Sequence, residues 1–154
     1  MPRAPAHRLR RRPAFFHPVP LRARHDGWSV ARQCGFLAEL YVTGSVAAAA
    51  RSVGMTRASA YRLRAREGAE SFAHAWDRVL SPPGSGRSAR PKVNWRKVTQ
   101  ADLLRCLQTG LVQPVVYRGR MVAIRRKADN SALLRLLRRT ERLHAPAHDE
   151  GAWR

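Results

Sequence analysis

The stretch SVAAAARSVGMTRASAYRLRAR, Ser45 to Arg66, reads as two short helices joined by a sharp turn at Gly54. Val46, Ala49, Ala50 and Val53 recur at i, i+3, i+4 and i+7, one face of a helix. Ala50 lies four residues before Gly54, where the two helices approach most closely, so its side chain has to be small. Gly54 suits the left-handed backbone that ends a helix. Met55 follows as an apolar plug, and Thr56 is a good N-cap for the second helix. Ala60 and Leu63 then point back at the first helix. Helix, turn and helix in this order are the layout of a DNA-binding helix-turn-helix.

The other side of the second helix is the face that a DNA groove would meet. With about 100° between successive residues, Ala58, Tyr61, Arg62 and Ala65 lie opposite Ala60 and Leu63. Arg57 and Arg64 flank them on one side, Ser59 and Arg66 on the other. No acid occurs between Gly54 and Glu67. Arginine forks onto guanine O6/N7 or onto phosphate, and the small Ala58 and Ala65 let the helix sit deep. The competing reading is an ordinary helical hairpin with a solvated basic face.

Composition points the same way. The chain has 154 residues and a formal net charge of +20, with a sequence pI near 11.8. Such a field favours a polyanion, double-stranded DNA before an anionic membrane. Arg supplies nearly all of the charge, and a GC-rich genome inflates Arg, Ala, Pro and Gly alike, so the placement of the charge says more than its total. No apolar run approaches a membrane span, and the Arg-rich start lacks the apolar core of a secretory signal. That start resembles an organelle transit peptide in composition, but the helix-turn-helix favours a cytoplasmic protein of a bacterial or phage-infected cell. Cys34 and Cys106 belong to no C-x-x-C pair and read as buried thiols of a reducing compartment.

Catalytic patterns are lacking. There is no G-x-x-x-x-G-K-[ST] loop for a nucleotide. Asp77, Asp102 and Asp129 sit in separate helical or capping contexts, and His144 and His148 have no Cys or carboxylate company at ligand spacing. Ser59 lies on the reading helix without a base. The expectation is a non-enzymatic protein without cofactor or metal.

The chain divides by composition. Residues 1–26, rich in Pro and Arg, read as a disordered basic arm. Its Arg8, Arg10, Arg11, Arg12, Arg22 and Arg24 would track phosphates or enter a minor groove. Alternatively it is a tail without a dedicated role, or translation from a start upstream of the natural one. Residues 27–80 form the helix-turn-helix domain: a bracing helix with Val30, Cys34, Leu37 and Tyr41, the motif, and a helix over 69–80. That last helix carries a core stripe of Ala69, Phe72, Ala73, Trp76, Val79 and Leu80. Residues 81–98 are a Pro/Gly/Ser linker. Residues 99–143 hold a short helix with Leu103, Leu104 and Leu107, then a β-hairpin of Val115–Tyr117 and Met121–Ile124 around Arg118-Gly119-Arg120, and a leucine-rich helix. Residues 144–154 read as a disordered tail. The fold class is mainly α: a helical bundle with a helix-turn-helix, followed by a small helix/β-hairpin/helix segment.

Two segments resemble phage terminase small subunits and related phage-derived helix-turn-helix proteins. One is TGSVAAAARSVGMTRASAYRLRAREGAESFAHAWDRVL. The other is the Gly110, Pro114, Val115, Tyr117, Gly119, Val122 hairpin followed by Asp129, Asn130, Leu133 and Leu134. In that family the small subunit recognises viral DNA, forms a homo-oligomer and regulates a large subunit that supplies ATPase and nuclease. Carried over, DNA contact falls on Thr56, Arg57, Ser59, Tyr61, Arg62 and Arg64, with Ala58 and Arg66 completing the outward set. The hairpin and last helix would serve assembly or partner contact. The chain departs from the family in its Arg-rich start and its lack of an acidic C-terminal tail. A stand-alone transcription regulator or a domesticated phage remnant is the alternative, and an enzyme using the module as a DNA anchor comes third.

Overall fold

The computed structural model describes residues 4–22, 24–87, 91 and 93–145. Among these the chain is mainly α, with seven helices and one two-stranded antiparallel hairpin. In chain order they are α1 (Ala6–Leu9), α2 (Val30–Thr43), α3 (Val46–Ser52), α4 (Arg57–Arg64), α5 (Glu70–Leu80), α6 (Gln100–Thr109), β1 (Leu111–Tyr117), β2 (Arg120–Lys127) and α7 (Asn130–His144). None of these helices is long and apolar enough to cross a membrane.

Short polar side chains start most of the helices. Ser29 Oγ accepts the Arg32 N–H at 3.2 Å, Ser45 Oγ the Ala48 N–H at 3.2 Å and Thr56 Oγ1 the Ser59 N–H at 3.1 Å. Thr99 and Asp102 form a reciprocal capping box on α6, and Asp129 Oδ1 accepts the Ala132 N–H at 3.0 Å on α7. Each bond satisfies an N–H that the helix itself leaves open. Gly44 ends α2 with φ +69°, and Arg10 completes the cap: its guanidinium donates to Tyr41 O at 2.7 Å and to Val42 O at 3.0 Å. A Cβ at Gly44 would lie 2.6 Å from Arg10 Nη1, so the glycine serves both the turn and the approach of the guanidinium.

α2 is the central beam. Its Cys34, Phe36, Leu37 and Leu40 are fully buried, and α1, α3, α5 and both strands pack on it. Phe36 meets Trp76 at 4.8 Å, Phe72 at 6.0 Å and Trp28 at 5.6 Å between ring centroids. Phe16 closes the cluster edge-on to Phe72 at 5.8 Å. The buried Gln33 carboxamide takes both backbone groups of Val19 and also donates to Trp28 O.

The hairpin is longer than the sequence suggests. Tyr117 pairs with Arg120, leaving a two-residue loop in which Arg118 and Gly119 have φ +49° and +76°. Two successive positive φ values mark a type I′ turn, whose twist matches the strands. The register slips by one between Val115/Val116, which leaves Val122 as the extra residue. Val112 and Pro114 are buried, and β2 is mostly exposed.

Two expectations from composition need correction. The stretch 1–26 is not a disordered arm over its described residues. Phe16 is 0% and Val19 3% exposed, both within the main core. Phe16 exchanges two backbone hydrogen bonds with Val112, and Gln113 Nε2 donates to Pro13 O. Prolines are compatible with this extended path, and the burial comes from the apolar residues between them; residues 1–3 and 23 lie outside the described set. The 81–98 stretch is not a free tether over its described residues either; 88–90 and 92 lie outside them. Arg11 donates to Pro82 O, Ser85 Oγ and Gly86 O, the Arg135 guanidinium lies 3.3 Å over the Trp95 ring, and Arg139 donates to Val98 O and Trp95 O. Of the 144–154 tail, His144 is helical, and 146–154 lie outside the described residues.

Candidate nucleic-acid interface

α3 and α4 meet through small side chains. Ala49, Ala50 and Ala60 are fully buried, Leu63 nearly so, and the Met55 N–H donates to Ala50 O at 2.9 Å across the turn. Gly54 takes φ +73° there. The burial of Ala50 leaves no room for a larger residue: an added side chain would push α3 and α4 apart.

This packing turns one side of α4 outward. Thr56, Arg57, Ala58, Tyr61, Arg62 and Arg66 are all exposed. Tyr61 is 43% exposed, with its ring resting 5.2 Å from Trp76 and the Arg57 guanidinium 5.7 Å above it. Among the described residues, the side chains of Arg62 and Arg66 make no hydrogen bond or ion pair. In and just after α4 these two are free for a ligand.

Two of the expected contacts are committed inside the protein. Arg64 forms a two-pronged ion pair with Asp77 at 2.9 and 3.1 Å and lies 4.7 Å over the Trp76 ring. Ser59 Oγ accepts the Trp28 indole N–H at 2.8 Å. A helical wheel places both at the flanks of the outward face, and neighbouring α5 and the Trp28 loop claim them. Thr56 is partly committed as well, because its Oγ1 serves the helix cap.

The N-terminal arginines divide similarly. Arg10 caps α2 and Arg11 holds the 82–86 turn, so neither is a spare phosphate contact. Arg8, Arg12, Arg22 and Arg24 are exposed. The hairpin adds cations that were not among the expected contacts. Arg118, Arg120, Arg125, Arg126 and Lys127 are all exposed. A Cβ at Gly35 would meet Val53 Cγ1 at 3.0 Å and Met121 Cε at 3.9 Å, so the end of α3 and the start of β2 both approach Gly35 on α2. Sequence pattern alone gives the basic character of β2, but the neighbour it packs against is a tertiary fact.

Both thiols are free. Burial pushes Cys34 up to about 12, against the opposing pull of Arg126. Cys106 is raised too, first by burial and then by Asp129. Metal-capable atoms of His17, Cys106 and Asp129 lie within 4.8 Å of one another, and none of the three belongs to α3 or α4. Their separation in sequence hid them from any spacing rule. No protein-family model, curated protein or solved structure matches this chain.

Proposed function

We propose that this protein is a non-enzymatic, sequence-recognising DNA-binding protein that reads the major groove with α4. The carrying observation is the outward face of α4, where Arg57, Tyr61 and Arg62 are exposed, with Arg66 exposed just past its end, while Ala60 and Leu63 anchor the helix to the core. An arginine without an internal partner gives up little to bind a guanine edge or a phosphate, whereas one already paired has to break that pair first. Arg118 and Arg120 at the hairpin tip, both exposed, add backbone contacts. The net charge of +20 supports a large phosphate contribution.

Within this reading the closest functional type is the terminase small subunit, which recognises viral DNA for packaging and works with a large catalytic subunit. Exposed Leu133, Leu134 and Leu137 on α7, with Leu104 on α6, supply an apolar face for a second copy. Arg138 and Arg142 are exposed on the same helix, while Arg135 stacks on Trp95 and Arg139 donates to Val98 O and Trp95 O. A stand-alone regulator shares the DNA-binding chemistry and differs in having no packaging partner.

Selection from a pool of random double-stranded DNA tests the reading. Wild-type protein is expected to enrich a defined motif, and an Arg57→Ala/Arg62→Ala variant to lose that enrichment while keeping weak, salt-sensitive binding. Absence of enrichment by wild type at any salt would overturn sequence recognition.

A further inference from the structure

His17, Cys106 and Asp129 come from three separate parts of the chain. His17 belongs to the segment leading into the core, Cys106 to the middle of α6, and Asp129 to the N-cap of α7. One donor atom from each lies within 4.8 Å of the others. His17 Nε2 stands 3.2 Å from Asp129 Oδ2. Around a tetrahedral zinc with bonds of about 2.0–2.1 Å, nitrogen and oxygen ligands stand roughly 3.3 Å apart. That pair is therefore already at ligand spacing, and the Cys106 sulfur lies within 4.8 Å of a donor atom of each.

The surroundings suit a cation. Asp129 is only 8% exposed. Its Oδ1 holds the Ala132 N–H, which leaves Oδ2 facing His17 and fixes the carboxylate as a one-oxygen ligand. A carboxylate buried this far needs a positive partner, and among the described residues only His17 pairs with it. His17 Nε2 is the nitrogen that faces Asp129 and is placed to ligate, while Nδ1 is buried and has no hydrogen-bond partner among the described residues. His17 and Cys106 also line a cleft of about 240 Å³ with Pro18, Val19 and Arg105. The cleft leaves room for a water as fourth ligand. One thiolate, one carboxylate and one neutral imidazole balance a divalent charge.

We infer that His17, Cys106 and Asp129 form a binding site for a divalent transition metal of the zinc class. The donor set of sulfur, nitrogen and oxygen fits zinc better than magnesium or calcium, which take oxygen alone. The site's role is structural. It pins the N-terminal segment to α6 and to the start of α7, three parts that otherwise meet through few side-chain bonds. Binding takes the Cys106 thiol proton to solvent and makes one metal–sulfur bond, with no change of oxidation state.

The test uses full-length protein, stripped with chelator under reducing conditions and titrated with Co²⁺. One cobalt per chain is expected, with a sulfur-to-cobalt charge-transfer band in the near ultraviolet and visible bands of tetrahedral intensity, all displaced by Zn²⁺. Zn²⁺ is expected to raise the melting temperature. Cys106→Ala should abolish the charge-transfer band. Asp129→Asn keeps a helix-capping oxygen, so it should fold normally, bind at least tenfold more weakly and lose the thermal shift. Cys34→Ser should behave as wild type. The inference is overturned if wild type shows no charge-transfer band, or if the band survives in Cys106→Ala and disappears in Cys34→Ser. It is equally overturned if folded Asp129→Asn, checked by circular dichroism, binds as wild type does.

Discussion

Arg62 and Arg64 sit two residues apart on α4 and have opposite prospects. Arg62 is exposed with no internal partner, whereas Arg64 is clamped between Asp77 and the Trp76 ring. Arg62→Ala should cost about 1–3 kcal/mol on the preferred DNA and relax specificity there, with an unchanged melting temperature. Arg64→Ala should cost about 1 kcal/mol of stability, from a partly exposed ion pair and a ring contact, and leave base preference intact. Paired DNA titrations and thermal melts check both. Equal specificity losses from the two variants would show that the Arg64 clamp opens on DNA. Periodicity placed Arg62 on the outward side of α4 and Arg64 at its flank. It could not reveal Asp77, which lies thirteen residues away on another helix.

At the scale of elements, the N-terminal segment behaves as part of the core. Phe16 fills a space between Phe72 and the hairpin, with no exposure at all. Phe16→Ala should therefore cost about 3–5 kcal/mol, measured by denaturant unfolding, because the cavity cannot collapse against three fixed elements. Removing residues 1–26 should destabilise the whole protein. A truncated chain melting like wild type would return the segment to the role of a loose arm. The start of α6 makes a separate prediction. The Thr99 backbone N–H, its hydroxyl and Arg105 hold the Asp102 carboxyl below the usual carboxylate range. The carboxylate thus contributes stability above the unfolded value of about 3.9, and that contribution disappears as pH falls through the lower folded value. Amide protection over 100–103 should drop on going from pH 5 to pH 3, and Asp102→Asn should remove most of that change. Equal protection at both pH values would mean that the cap does not depend on the charge.

At the scale of the whole molecule, charge and the exposed leucines make two further claims. If about six phosphates are neutralised, log K for DNA should fall with log salt at a slope near −5. Arg118→Ala with Arg120→Ala should flatten that slope by about 1–2 and weaken all sequences alike. A slope unchanged by the pair would remove the hairpin from the interface. Leu104 on α6 and Leu133, Leu134 and Leu137 on α7 are 42–55% exposed, and apolar side chains left open on two packed helices are where self-association is expected. Light scattering of full-length protein should show self-association at tens of micromolar. Leu134→Glu with Leu137→Glu should give monomers that still bind DNA. A monomeric wild type, with and without DNA, would favour a stand-alone regulator over a packaging subunit.

The helix-turn-helix pair was determined locally. Caps at Ser45 and Thr56, the left-handed Gly54 and the small Ala50 act within a few residues of one another, so order and spacing suffice to read them. The same holds for the Arg118-Gly119 turn. Tertiary structure alone decided which arginines are free, because a guanidinium is captured by whatever carbonyl or carboxylate lies within reach: Tyr41 and Val42 for Arg10, Asp77 for Arg64. It decided the fate of the first 26 residues, where Pro and Arg suggest a solvated arm and Phe16 and Val19 supply the burial that outweighs the ordering entropy. It also brought together His17, Cys106 and Asp129, whose meeting depends on how α6, α7 and the N-terminal segment pack and on no spacing along the chain.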